Sequence, residues 1–427
     1  MGPCLYGERA GPGWQAQDGW RTRLRPVSTP ASSPLAGVRV LDLTRLLPGG
    51  FLGALLADLG ADVVKVEEPI LGDYIRWGET RIGRESAASW VLGRNKRSVA
   101  VDLKRPEGVE LFLRMAQGAQ VVMEGFRPGV VDRLGIGYEA VRERNPKLVY
   151  ASLTGYGSDG PMREAAGHDI SYISYAGVLG MTGPPGGPVC PPGVQVADLG
   201  GASILGIGLL AALYASERTG RGSRVEVAMY DAALAWTSIH AGELWASGNA
   251  PDPGRMLLNG KYPCYNVYAC ADGRYVSVGA LEPKFWASFC AAVGRSDLVE
   301  RQLDPTACAE VAAVLADRTR DEWVELLEPA DACVAPVLGL GEALAHPLAA
   351  ARGMVLQAPV DLSGAATAPT LGTPIRFDGR RRPAGTPPPA LGADTVALAT
   401  EAGLTASEIA GLLASGVLRQ ADAIGDA

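Results

Sequence analysis

Histidine is scarce in this chain, and its cysteines form no recognisable pattern. Three histidines (His168, His240, His346) and seven cysteines, at positions 4, 190, 264, 270, 290, 308 and 333, contain no CxxC pair and no zinc-ligand spacing. That excludes a structural zinc finger and a disulfide framework. The thiols read as reduced, mostly buried groups of a cytoplasmic protein. No glycine-rich phosphate loop ending in Gly-Lys-Ser/Thr occurs, and no Gly-x-Ser-x-Gly nucleophile elbow. Gly206-Ile207-Gly208-Leu209-Leu210-Ala211 spells a dinucleotide fingerprint, but it sits inside an apolar run instead of at a strand-to-helix turn, so it reads as helix packing. Positive charge is not in excess either. A net charge of −7 and a pI near 5.3 exclude a nucleic-acid protein, and any anionic ligand must find a local basic pocket. The longest apolar run, Leu199–Ala215, is short for a membrane span and holds four glycines, so it reads as a buried helix and not as a membrane segment. Residues 1–34 are rich in Gly, Pro, Ser and Arg, lack an apolar leader core, and read as a disordered extension.

What remains is a chain of 427 residues with 47% hydrophobic residues, too long for one ordinary core. Short β-branched runs alternate with helical patterns. Val38–Leu43, Asp62–Val66, Ser98–Leu103, Gln120–Glu124, Leu148–Leu153 and Ser223–Met229 predict strands, and Phe51–Leu59, Pro106–Gln117 and Leu199–Glu217 predict helices. This rhythm predicts an α/β fold with a parallel, Rossmann-like sheet. It breaks at 155–197, a Gly- and Pro-rich stretch that reads as a functional loop. After Ser223–Met229 comes one helix carrying Trp236 and Trp245. A linker at 246–262 then leads to strands Tyr265–Ala269 and Tyr275–Gly279 across an Ala-Asp-Gly turn, and to helices Lys284–Val293, Ala309–Asp317 and Arg320–Glu328. The domain reading is therefore 35–245 for the first part of a large domain, 246–334 for a smaller α+β domain, and 335–427 for a return ending in two short helices.

Four residues stand out for proton chemistry. His168 and Asp169 lie in Ala-Gly-His-Asp-Ile-Ser-Tyr, and histidine is the side chain best suited to proton transfer near neutral pH. Asp198 precedes the apolar helix and reads as its N-cap, a position that also favours developing negative charge. Glu282 stands between a strand and a helix-opening proline, as a first-turn carboxylate. Basic residues gather near strand ends: Lys96, Arg97, Lys104, Arg127 and Arg133. In open α/β sheets ligands bind beyond the carboxyl ends of strands, so Lys104 and Phe126-Arg127 are placed to hold a nucleotide-like group.

The stretches LAGVRVLDLTRLLPGGFLGALLADLGADVVKVEEP, NKRSVAVDLKRPEG, VVMEGFRPGVVDRLGIGYEAVRERNPKLVYASLTGYG and TGRGSRVEVAMYDAAL resemble the class III CoA-transferases and α-methylacyl-CoA racemases over nearly the whole chain from Leu35. AGHDISY and GALEPKF resemble the racemase branch, and VADLGG is shared by both branches. The resemblance implies that His168 and Asp198 exchange an α-proton on a 2-methylacyl-CoA through an enolate, with Glu282 orienting the imidazole; backbone N–H groups near Asp169 or at the Asp198 helix start are expected to bind the enolate oxygen. It implies CoA contacts at Leu46, Val101, Lys104, Gly125, Phe126 and Arg133, with no metal and no cofactor beyond the CoA moiety of the substrate. It also implies an interlocked homodimer, in which Glu282 meets His168 across subunits. In the transferase branch, Asp198 would instead be the nucleophile that carries acyl and CoA groups between carboxylic acids. A non-catalytic acyl-CoA binder is the third reading. One departure is Glu68, which stands where the family commonly has an arginine.

Overall fold

A computed structural model describes residues 33–421, except 362 and 384. The expected extension at 1–34 therefore lies almost wholly outside the described residues. Six parallel strands form the main sheet: β1 (Arg39–Asp42), β2 (Asp62–Glu67), β3 (Lys96–Val101), β4 (Val121–Glu124), β5 (Val149–Thr154) and β6 (Arg224–Ala228). Their spatial order is 3-2-1-4-5-6, the doubly wound arrangement, whose order reverses between β1 and β4. Side chains alternate across these strands. Val40, Val63, Val121 and Val149 pack on one face with Leu52, Leu56, Leu205 and Leu209, while Leu41, Val64, Val122 and Tyr150 pack on the other with Phe112, Leu398 and Ile409. Because both faces are covered, the strands are apolar in near-continuous runs, which is why they were legible.

The C-terminal segment returns to this sheet. Helices Thr395–Glu401 and Ala406–Ala414 contribute to one face, and Leu418–Arg419 pairs antiparallel with β3 beyond its edge. The sheet is thus mostly parallel and carries one antiparallel edge strand. A separate core surrounds a three-stranded antiparallel sheet of Tyr265–Ala269, Tyr275–Gly279 and Val334–Pro336. There Trp286 stacks on Phe289 with ring centroids 5.2 Å apart and donates its indole N–H to the Leu298 carbonyl.

Four sequence readings need correction. The apolar helix runs over Val196–Thr219, starting before Asp198, so Asp198 is its third residue and not its N-cap. That helix is not buried all round: Leu205 and Leu209 are in the core, but Ile207 is 70% and Tyr214 65% exposed in the single chain. It is long and apolar enough to cross a membrane by length and composition, as core helices of globular proteins also can be. The expected single helix carrying both tryptophans is two, Met229–Ala235 and Ser238–Ser247, broken at Trp236-Thr237. The 155–197 stretch is not all loop, since it contains helix Asp169–Tyr175.

Candidate active site

The site lies beyond the carboxyl ends of β1, β4 and β5. Two clefts meet at Phe126. One, of about 330 Å³, is lined by Thr44, Arg45, Glu68, Val101, Lys104 and Phe126, among others. The second, of about 320 Å³, is lined by Gly125, Phe126, Arg127, Tyr156, His168 and Tyr172, among others. Most of the expected CoA contacts line one or other of these two clefts, which share Phe126. Leu46 and Arg133 line neither cleft. Leu46 has a φ of +60°, rare for a branched side chain, and its N–H is held by the Asp73 carboxylate at 3.0 Å.

Arg45 was missed by the sequence reading. Its guanidinium lies over the Phe126 ring at 5.2 Å and the Tyr74 ring at 5.4 Å, where cation–π attraction holds it at the groove. The signal was available, because Arg45 follows β1 as Lys104 and Arg127 follow their strands. Glu68 turns its carboxylate onto the N–H groups of Ile70 and Leu71, at 2.9 and 2.7 Å. Those bonds and the nearby Lys104 charge hold it below the usual carboxylate range. It closes a turn, in the same cleft that Lys104 and Arg45 line.

Asp169 opens helix Asp169–Tyr175, and His168 is the residue just before it, in extended conformation. The Asp169 carboxylate accepts the N–H groups of Ala197 at 2.7 Å and of Asp198 at 3.1 Å. Asp169 thus caps the long helix from another segment, which is why a cap search within the local sequence fell on Asp198. These two bonds also bring the Asp169 charge to bear on Asp198. Burial, followed by the Asp169 charge, pushes the Asp198 carboxyl up to about 6, with the His168 charge opposing. The Tyr172 hydroxyl is pushed up to about 12 by burial and by Asp198. His168 and Tyr172 line the second cleft, and Asp169 and Asp198, which line neither cleft, are close enough for their charges to act on this pair.

Glu282 is not part of this group in the single chain. It is exposed, holds the N-cap position of helix Pro283–Ala292 without a side-chain cap bond, and lies near Cys333. Chemically, the arrangement offers two proton carriers, one imidazole and one carboxyl of raised pKa, beside a basic groove.

The family model for CoA-transferase family III matches residues 35–395. The chain is 36% identical to the mouse α-methylacyl-CoA racemase over 88% of its own length and 95% of that protein's. It is 31% identical to the human succinyl-CoA:glutarate CoA-transferase over 86% of each chain. The structure of a CaiB/BaiF family protein from Brucella suis superposes with a TM-score of 0.76 at 30% identity, over 87% of this chain and 99% of that one. This chain belongs to CoA-transferase family III.

Proposed function

We propose that the protein racemises 2-methylacyl-CoA thioesters by exchanging the α-proton through an enolate. The observation that carries this reading is His168 in the second cleft with an Asp198 of raised pKa within reach of its charge. The α-carbon of a thioester is a weak acid, so racemisation needs a base on one face and an acid on the other. His168 and Asp198 take these parts and exchange them with direction. Lys104, Arg45 and Arg127 hold the phosphates of CoA, and Val101 and Phe126 its nucleotide end. Binding energy from CoA, remote from the reacting carbon, fixes the thioester between the two groups. The N–H groups at the start of helix Asp169–Tyr175 stabilise the enolate oxygen. The substrate's own CoA is the only cofactor in this scheme.

The relatives include both racemases and transferases, so the transferase reading has support of its own. It would use Asp198 as a nucleophile and leave His168 without a task, and for that reason racemisation is preferred.

The active pair carries one proton shared between His168 and Asp198. Racemisation should therefore show the same bell-shaped pH profile in both directions. Its acid limb is expected near pH 6, where Asp198 takes up a second proton, instead of near the ~4 of an ordinary aspartate. A rate flat between about pH 5 and 8 would contradict the assignment.

The same reading includes a cytoplasmic homodimer whose second subunit brings Glu282 to His168. Its support is the apolar surface left by the single chain: Ile207, Tyr214, Ile239 and Trp245 are 63–83% exposed. Sedimentation should give twice the 44.4 kDa chain mass. A fully active monomer would contradict the cross-subunit role of Glu282.

A further inference from the structure

Tyr172 makes contacts that the reaction scheme above does not use. Its ring is buried, 6% exposed, at the second cleft. Its hydroxyl donates to the Gly167 carbonyl at 2.7 Å, and its backbone N–H donates to the His168 carbonyl at 3.2 Å. One residue thus grips the carbonyls on both sides of the His168 α-carbon. The ring also fills the space where neighbouring side chains would stand. A Cβ at Gly167 would lie 2.6 Å from the Tyr172 ring and 2.9 Å from the Tyr156 hydroxyl, and a Cβ at Gly155 would lie 2.7 Å from the Tyr172 ring. Gly155 directly follows β5, so the phenol is pressed between the end of a core strand and the residue before the histidine. Tyr156 closes the cluster, meeting the ring edge-on at 5.0 Å.

We propose that Tyr172 is a positioning residue that sets the His168 imidazole against the substrate α-carbon, acting through the Gly167 carbonyl. Gly155 and Gly167 are glycines because this ring occupies their side-chain space. The inference rests on the acid/base role of His168. A small displacement of an acid/base group lowers the chemical step far more than substrate binding. Ser171 also meets His168, its Oγ accepting the His168 N–H at 3.5 Å and its N–H donating to the His168 carbonyl at 2.8 Å, and Tyr172 adds the hold on the Gly167 carbonyl.

The test compares Tyr172→Phe, which keeps the ring and removes the hydroxyl, with Gly167→Ala and with the double variant, all in the full chain. Tyr172→Phe should lower kcat with a 2-methylacyl-CoA about 10-fold while KM and CoA affinity stay within about 2-fold. Gly167→Ala should lower kcat at least as much. The double variant should lose less than the product of the single losses, since both act on one peptide. Independently of turnover, the imidazole proton resonances of His168 should shift in Tyr172→Phe, with His240 and His346 as unmoved references among the three histidines. Unchanged kcat and an unmoved His168 resonance would overturn the proposal. So would proportionate falls in kcat, CoA affinity and thermal stability with multiplicative double-variant losses, which describe packing alone. If the parent protein exchanges no α-proton, racemisation fails as the reaction, and the His168 resonance still decides whether Tyr172 positions the imidazole.

Discussion

His168→Ala should lower racemisation by about 10²- to 10⁴-fold, the range that a positioned acid/base group supplies. CoA affinity should stay within about 2-fold, because His168 lines the second cleft whereas Arg45 and Lys104 line the first. The fold should tolerate the change. The imidazole is exposed and makes no side-chain cap bond to helix Asp169–Tyr175, so the stability change should be within about 0.5 kcal/mol by thermal unfolding. Steady-state assays from each enantiomer, beside calorimetric titration with CoA, check both parts. Racemisation at the parent rate would remove His168 from the mechanism. Loss of CoA binding together with rate would recast it as a binding residue.

Asp198→Asn should produce opposite effects on activity and stability. Racemisation should again fall by about 10²- to 10⁴-fold, because an amide neither takes nor gives the proton. Stability should rise near neutral pH. Burial and the Asp169 carboxylate raise the folded-state pKa of Asp198 to about 6, above its unfolded value. The protonated form is thus favoured in the folded protein. Stability is lost as pH rises from the unfolded pKa to the folded one, and it stays low above about 6. Asparagine removes that loss. The variant's advantage should be absent below about pH 4, grow between 4 and 6, and be full above 6. Asp198 is partly open to solvent, so about 1 kcal/mol is expected, well under the full linkage value. Thermal unfolding of both proteins across this pH range measures it. A gap independent of pH would show that the folded protein does not raise the Asp198 pKa. Isolation of a covalent acyl or CoA adduct on Asp198 in the parent would favour the transferase chemistry instead.

The parts of this fold legible in the sequence are those whose signal is local. Strands Tyr265–Ala269 and Tyr275–Gly279 are found where their alternation and the Asp-Gly turn put them. The central strands are evident because burial on both faces demands unbroken apolar runs. Elements held by distant partners were not legible. Leu418–Arg419 is two residues long and owes its strand conformation to β3. The hairpin of Val355–Pro359 and Thr367–Leu371 contains two prolines, which weaken its strand signal. The cap of the long helix comes from Asp169, 28 residues before Ala197, and no local pattern could distinguish it from Asp198. The same holds within the site. The His168–Asp169 pair and Asp198 were visible as residue types, but what brings them together includes the two long-range hydrogen bonds to the Asp169 carboxylate. Arg45 went unremarked because its importance lies in which rings it meets.

The most direct test of the central claim is incubation of the parent protein with a (2R)-2-methylacyl-CoA in heavy water, with and without a free carboxylic acid, following mass and α-carbon configuration together. The account expects one deuterium at the α-carbon and loss of configuration, with no need for the acid. CoA appearing on the added acid while the α-proton is retained would contradict it.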